Sequence, residues 1–258
     1  MTPDFEILLL LFSVAAVAGW VDVIAGGGGL ITTPALLLAG VPPAATLATN
    51  KLQGSAGTLS SSLYFIRQGS VDLHAIRYLI FATFIGSLIG AWLLLRIDAS
   101  QLVVYLPVLL IAIALYFLLS PNIGDVDCKP KLGMLAFALL ACPLLGFYDG
   151  FFGPGTGSFM MLAFVALAGF RVSKATAHTK VLNFTSNFAS LLYFIVYGDI
   201  YWAIGGVMIL GQLLGSLTGS RMVLNNGSKL VRPVVVSVCL IMSANLIYKH
   251  FISASATL

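Results

Sequence analysis

The chain has 258 residues, of which 59% are hydrophobic and only 9% charged; 13 Lys+Arg stand against 9 Asp+Glu, for a formal net charge of +4. Its mean hydropathy is +1.03, whereas water-soluble domains are roughly a quarter charged. These figures exclude a cytosolic globular enzyme, a nucleic-acid-binding module and a disordered tail, and the small basic excess lies in loops, where a membrane explains it.

A membrane-spanning helix needs about 20 mostly apolar residues. The first such window is 5–25. Asp4 and Glu6 lie at its start with no Lys or Arg, so it reads as a retained membrane helix; a cleavable signal opens on a basic stretch. The break Gly26-Gly27-Gly28-Gly29 follows, then a short apolar run at 30–40. Full-length windows come next at 44–66, 73–95, 101–120 and 132–151. A second break, Gly153-Pro154-Gly155-Thr156-Gly157, opens a second short run at 158–169, and windows at 174–196, 203–223 and 230–252 complete the chain. Cys128, Cys142 and Cys239 make neither a CxxC nor a Cys/His pattern, so no disulfide framework or zinc site is indicated. HExxH, GxSxG and paired-histidine spacings are missing. The expectation is an all-α polytopic membrane protein that is not an enzyme and carries no cofactor.

Sliding the sequence over itself by 129 positions aligns its halves. Leu38-Ala39-Gly40 falls on Leu167-Ala168-Gly169, Lys51 on Lys180, Leu63-Tyr64-Phe65-Ile66 on Leu192-Tyr193-Phe194-Ile195, and Gly86-Ser87-Leu88 on Gly215-Ser216-Leu217. With an offset of 127, Asp22 meets Asp149, Gly26 meets Gly153 and Gly28 meets Gly155. The predicted organisation is one integral-membrane domain made of two repeats, 1–125 and 126–258, each of about five segments with one short or broken helix.

An odd number of crossings per half inverts the second half relative to the first. With the N-terminus outside and ten crossings, the inner side holds Arg67, Arg77, Lys129, Lys131, Arg171, Lys174, Arg221, Lys229 and Arg232, against Arg96 and Lys249 outside. That is the bias of the positive-inside rule; it vanishes if the short runs are re-entrant. Inverted repeats with glycine-interrupted segments at matched positions are a pattern of secondary transporters, because two similar halves facing opposite ways can open one site alternately to either side.

The polar windows carry the candidate chemistry. The third segment contains Asn50, Lys51 and Gln53 and its counterpart contains Thr179, Lys180 and Asn183; neither can face lipid all round. Neither segment holds an acid. Three readings of the lysines stand: a transported anion completes the charge balance, Asp22 or Asp149 pairs with them from a neighbouring helix, or the side chains snorkel to the interface. The glycine breaks, notably Gly27, Gly28, Gly155 and Thr156, expose backbone N–H groups at short-helix starts, where hydrogen bonding and the helix dipole attract anions. Asp22 and Asp149 are candidates to cap the breaks, pair with lysine or carry protons. His178 reads as a hydrogen-bonded core residue or, less simply, a pH sensor. Small-residue spacing at Gly86–Gly90 and Gly211–Gly219 predicts close helix packing.

Two pairs of motifs, GWVDVIAGGGGLITTPALLLAG with ATNKLQGSAGTLSSSLYFIRQG, and GFYDGFFGPGTGSFMMLAFVALAGF with KATAHTKVLNFTSNFASLLYF, resemble the sulfite exporter TauE/SafE family over essentially the whole chain. The resemblance is to the branch described as probable membrane transporters. It implies a multi-pass carrier of the bacterial inner membrane for small anions such as sulfite, sulfonates like sulfoacetate, or organic acids. It places Asn50, Lys51, Gln53, Thr179, Lys180 and Asn183 at the centre. The predicted partners are therefore a small anion, the lipid bilayer and, as a candidate coupling ion, the proton. A passive anion channel and an organic-acid carrier are the rival functions.

Overall fold

The computed structural model describes residues 4–96 and 126–227, together with positions 111 and 115 and parts of 229–248. The predicted segment 101–120 and much of 230–252 lie outside the described residues. All regular structure among the described residues is helical. Helix α1 spans Phe5–Ala25, α2 Gly28–Leu38, α3 Pro43–Arg67, α4 Arg77–Leu94, α5 Met134–Phe151, α6 Thr156–Ala166, α7 Val172–Tyr197 and α8 Trp202–Asn226. Of these, α1, α4, α5 and α8 are long and apolar enough to cross a membrane by length and composition. Helices α3 and α7 are longer, at 25 and 26 residues, but carry the buried polar stripes.

Local sequence explains the breaks. Helix α1 ends at Gly26, which takes φ 75° while its N–H donates to the carbonyl of Asp22 at 2.7 Å. That left-handed turn suits glycine, which lacks the Cβ that clashes there. Helix α2 restarts at Gly28 and runs only 11 residues, about 16 Å at 1.5 Å per residue, half a bilayer core. The second break repeats this: Gly153 and Gly155 have φ 93° and 84°, and α6 also runs 11 residues. Within α5, a π-helical turn at Phe137–Ala141 precedes Pro143; proline has no N–H for the helical ladder, so the wider turn accommodates the defect. Helix α4 starts four residues later than its predicted window. Asp72 Oδ1 accepts the backbone N–H of His74 at 2.9 Å and holds a turn there instead.

The small-residue stripes pack within the chain, and across its halves. Helix α4 lies along α5 and α8 along α1. A Cβ added at Gly86 would overlap the carbonyl oxygen of Pro143; one at Gly215 would overlap that of Ala16. Ala16 and Pro143 are related by the same offset of 127 as the two aspartates. Gly19 and Gly146 repeat the pattern, pressed against the backbone of Gln212 and Thr83. Helix α3 packs on α7 and α8, and α7 on α3 and α4. This arrangement leaves α3 and α7 in the interior, with their polar stripes facing the two glycine breaks.

Candidate functional site

The breaks meet at the centre. A Cβ at Gly26 would collide with the backbone of Gly157, and one at Gly157 would lie 2.5 Å from the Cα of Gly26. The Ser158 hydroxyl donates to the carbonyl of Ala25 and ties one break to the other. Around this contact lies a polar cavity of about 30 Å³, room for a water molecule or two. Its lining comes largely in matched pairs: Asp22 with Asp149, Gly26 with Gly153, Gly28 with Gly155, Gly54 with Asn183, and Thr58 with Asn187. Gly29, Asn50, Lys51, Gln53, Gly157 and Gln212 complete it.

Both predicted lysines are buried, Lys51 at 3% exposure and Lys180 at 1%. Neither reaches a surface. Each meets an aspartate from the other half: Lys51 Nζ lies 2.8 Å from Asp149 Oδ1, and Lys180 Nζ 2.9 Å from Asp22 Oδ2. Pairing by a neighbouring helix, the second of the three sequence readings, is thus the observed geometry. A buried ammonium costs several kcal/mol unless paired and hydrogen-bonded.

The two pairs differ in detail. Lys180 also donates to the backbone carbonyl of Asp22 at 2.5 Å, and Asp22 Oδ1 accepts the N–H of Gly28 at 3.2 Å, capping α2. Lys180 does not line the cavity, whereas Lys51 does. Asp149 Oδ2 is buried without a hydrogen-bond partner among the described residues, as are Gln53 Oε1 and Gln212 Oε1.

An amide network supports the cavity wall. Asn50 Oδ1 accepts from Thr32 Oγ1 and from Gln53 Nε2, both at 2.6 Å. Asn183 Oδ1 accepts from Asn187 Nδ2 at 3.0 Å. These bonds use the acceptor ends of Asn50 and Asn183 and leave their side-chain N–H groups out of the network.

The structure therefore brings Asn50, Lys51, Gln53, Asn183, Gly28, Gly155, Asp22 and Asp149 together at the cavity. Other predicted residues stand outside the lining. Gly27 abuts Val238. Thr156 donates to the carbonyl of Gly153 at 2.6 Å and braces the second break. Thr179 is buried with its hydroxyl unpartnered among the described residues. His178 packs against Phe164 and Phe170 and bonds the carbonyl of Lys174 through Nδ1 at 2.8 Å. Gln212 escaped the sequence reading, because the glycines of its apolar window drew attention instead. A lone amide opposite Thr83 at the repeat offset of 129 was the available signal.

Broken helices around a buried, charged polar cavity are a pattern of membrane transporters, and the family and relatives of this chain put it in that class. The profile of the family described as "Sulfite exporter TauE/SafE" matches residues 11–246, and the chain belongs to that family. A "Probable membrane transporter protein" of Haemophilus influenzae is 51% identical over 248 residues, covering 96% of this chain and 97% of the relative. "Probable membrane transporter protein YfcA" of Escherichia coli K12 is 52% identical over 242 residues, 94% and 90% of the two chains. A more distant relative, "Probable membrane transporter protein YunE" of Bacillus subtilis, is 23% identical over 273 residues, covering 97% of this chain and 100% of the relative. No solved structure matches the chain.

Proposed function

We propose that the protein is a secondary transporter of the bacterial inner membrane that carries a small anion, a sulfur oxyanion or organosulfonate such as sulfite or sulfoacetate, by alternating access between inverted repeats 1–125 and 126–258. The observation that carries this reading is the central cavity lined by matched residues of both halves, with Lys51 on its wall. Lys51 supplies the positive charge. The side-chain amides of Asn50 and Asn183 and the backbone amides near Gly28 and Gly155 supply directional donors to oxyanion oxygens. Charge-assisted hydrogen bonds of this kind are the strong ones. Since Asp149 occupies Lys51, the anion binds by displacing a carboxylate, which favours guests that match its size and charge. Lys180, Gln53, Gly27, Thr156 and Thr179 support this wall. The family name speaks for a sulfur oxyanion over a general organic acid, and the broken, paired helices speak for a carrier over an open pore.

The test is a thermal-shift screen of purified protein against sulfite, sulfoacetate, acetate and chloride, followed by uptake into proteoliposomes. A ligand at 100 times its Kd adds about 2.7 kcal/mol to folded-state stability. Sulfite or sulfoacetate should raise the midpoint, and Lys51→Ala should abolish both shift and uptake. Wild-type uptake by Lys51→Ala overturns the site, and conductance far above carrier turnover in a planar bilayer overturns the mechanism.

A further inference from the structure

The site holds two ammonium groups and two carboxylates, so it is electrically balanced before any substrate arrives. An incoming monoanion leaves one uncompensated negative charge in a buried place, where such a charge is costly. We propose that Asp149 takes up one proton when the anion binds, so that anion and proton occupy the site together. This rests on the transporter reading above.

The choice of Asp149 over Asp22 follows from their contacts. Protonating Asp22 disturbs its pairing with Lys180 and its bond to the Gly28 N–H that caps α2. Lys180 is held a second time by the Asp22 carbonyl. Asp149 has one ion pair, through Oδ1, while Oδ2 is buried and unpartnered. Once the anion takes Lys51, the Asp149 carboxylate has lost its counter-charge. A proton from the aqueous phase then forms an O–H bond on the carboxylate, and nothing else is made or broken. The new O–H needs an acceptor, and Gln53 Oε1 and Gln212 Oε1 are unpartnered acceptors of the same cavity.

Among the described residues, the charged and titratable surroundings of Asp149 are few. Helix α3 presents Lys51, α1 presents Asp22 across the cavity, and α7 presents Lys180 behind Asp22. On its own helix, Tyr148 turns its hydroxyl away to the carbonyl of Pro154 at 2.8 Å. Helix α6 has no titratable residue, and those of α4, Arg77 and Tyr78, are exposed at its start. His178 is outside the cavity lining.

The experiment is calorimetric titration of the purified full chain with methanesulfonate, a monoanion that does not titrate near neutrality, and with sulfoacetate, whose added carboxylate makes it a dianion that needs the same proton at Asp149. It is run in two buffers of different ionisation enthalpy and across pH. About one proton should be taken up per anion, and the apparent Kd should weaken about tenfold per pH unit at the alkaline end. Asp149→Asn should bind with no proton uptake and a flat pH profile, and more tightly than wild type at the alkaline end, because nothing competes for Lys51. His178→Gln should keep the wild-type slope. Binding without proton uptake in the wild type, or an unchanged slope in Asp149→Asn, overturns the inference while leaving the transporter reading standing. Failure of either sulfonate, or of sulfite, to bind at any pH removes both. If Asp149→Asn does not fold, Asp149→Glu, which keeps a carboxyl there, should keep the proton uptake but move the pH at which the Kd begins to weaken; an unmoved profile overturns the assignment to Asp149.

Discussion

Two corners of the molecule occupy matched positions in the two halves. One is built from Asp22, Gly26 and Lys180, the other from Asp149, Gly153 and Lys51. At the first, the lysine has two oxygen partners and the aspartate also caps a helix; a Cβ on Gly26 would strike backbone. At the second, one ion pair faces the cavity with a carboxylate oxygen unpartnered among the described residues, and a Cβ on Gly153 would lie 3.2 Å from Lys51 Nζ and 3.3 Å from the carbonyl oxygen of Asp149, close but without the overlap found at Gly26. Duplicated sequence thus stands in two different settings: a corner tied by several hydrogen bonds and a looser one held by a single ion pair.

The comparison can be broken most directly at the lysines. Lys180→Ala leaves Asp22 as an uncompensated buried charge and should cost about 3–5 kcal/mol, read as loss of monodisperse protein after solubilisation. Lys51→Ala should cost clearly less, because Lys51 makes a single ion pair whereas Lys180 holds both the carboxylate and the backbone carbonyl of Asp22; equal losses would erase the distinction between the corners. The glycines sharpen it next. Gly26→Ala combines a left-handed backbone with a backbone collision and should cost about 2–5 kcal/mol. Gly153→Ala adds contacts of 3.2–3.5 Å to Lys51 and Asp149 to a conformational term of about 1–2 kcal/mol, and should lower the thermal midpoint by less than Gly26→Ala.

The smallest effect lies outside the membrane-spanning segments and serves as a control for both corners. Asp127 accepts the N–H of Arg171 at 2.8 Å at the start of α7 and pairs with exposed Lys174 at 3.2 Å. The backbone hydrogen bond from Arg171 holds its carboxyl below the ordinary value of 3.8. A depressed folded-state pKa contributes stability that is present above the unfolded value and lost as pH falls through the folded one. Asp127→Ala should therefore cost about 1 kcal/mol near neutrality, as for a lost helix cap. The difference from wild type should shrink below about pH 3.8 in acid-dependent melting curves.

Much of the helix layout was legible because it is set locally. Apolar length fixed the windows 44–66 and 174–196 against observed helices Pro43–Arg67 and Val172–Tyr197. The glycines marked both breaks because only they tolerate the left-handed turns found there. The lysines and aspartates were recognisable as unusual, since an ionisable group inside an apolar window must be satisfied somewhere. Who pairs with whom was not legible: Lys51 and Asp149 lie 98 positions apart, and the packing of both α3 and α5 on α7 brings them together. The same holds for Gln212, whose place on the cavity wall depends on α8 lying along α1. His178, polar in sequence, is packed with aromatic rings, a choice that helix rotation makes and spacing does not reveal.

The exchanged ion pairs have a consequence for how the chain can be divided. Residues 1–125 contain Asp22 and Lys51, and residues 126–258 contain Asp149 and Lys180, but each acid answers the base of the other piece. A cut in the intervening stretch gives two fragments that are each neutral on paper at these positions and unmatched in space. Either fragment produced alone should be cleared by membrane proteolysis, while the two produced together should rescue one another.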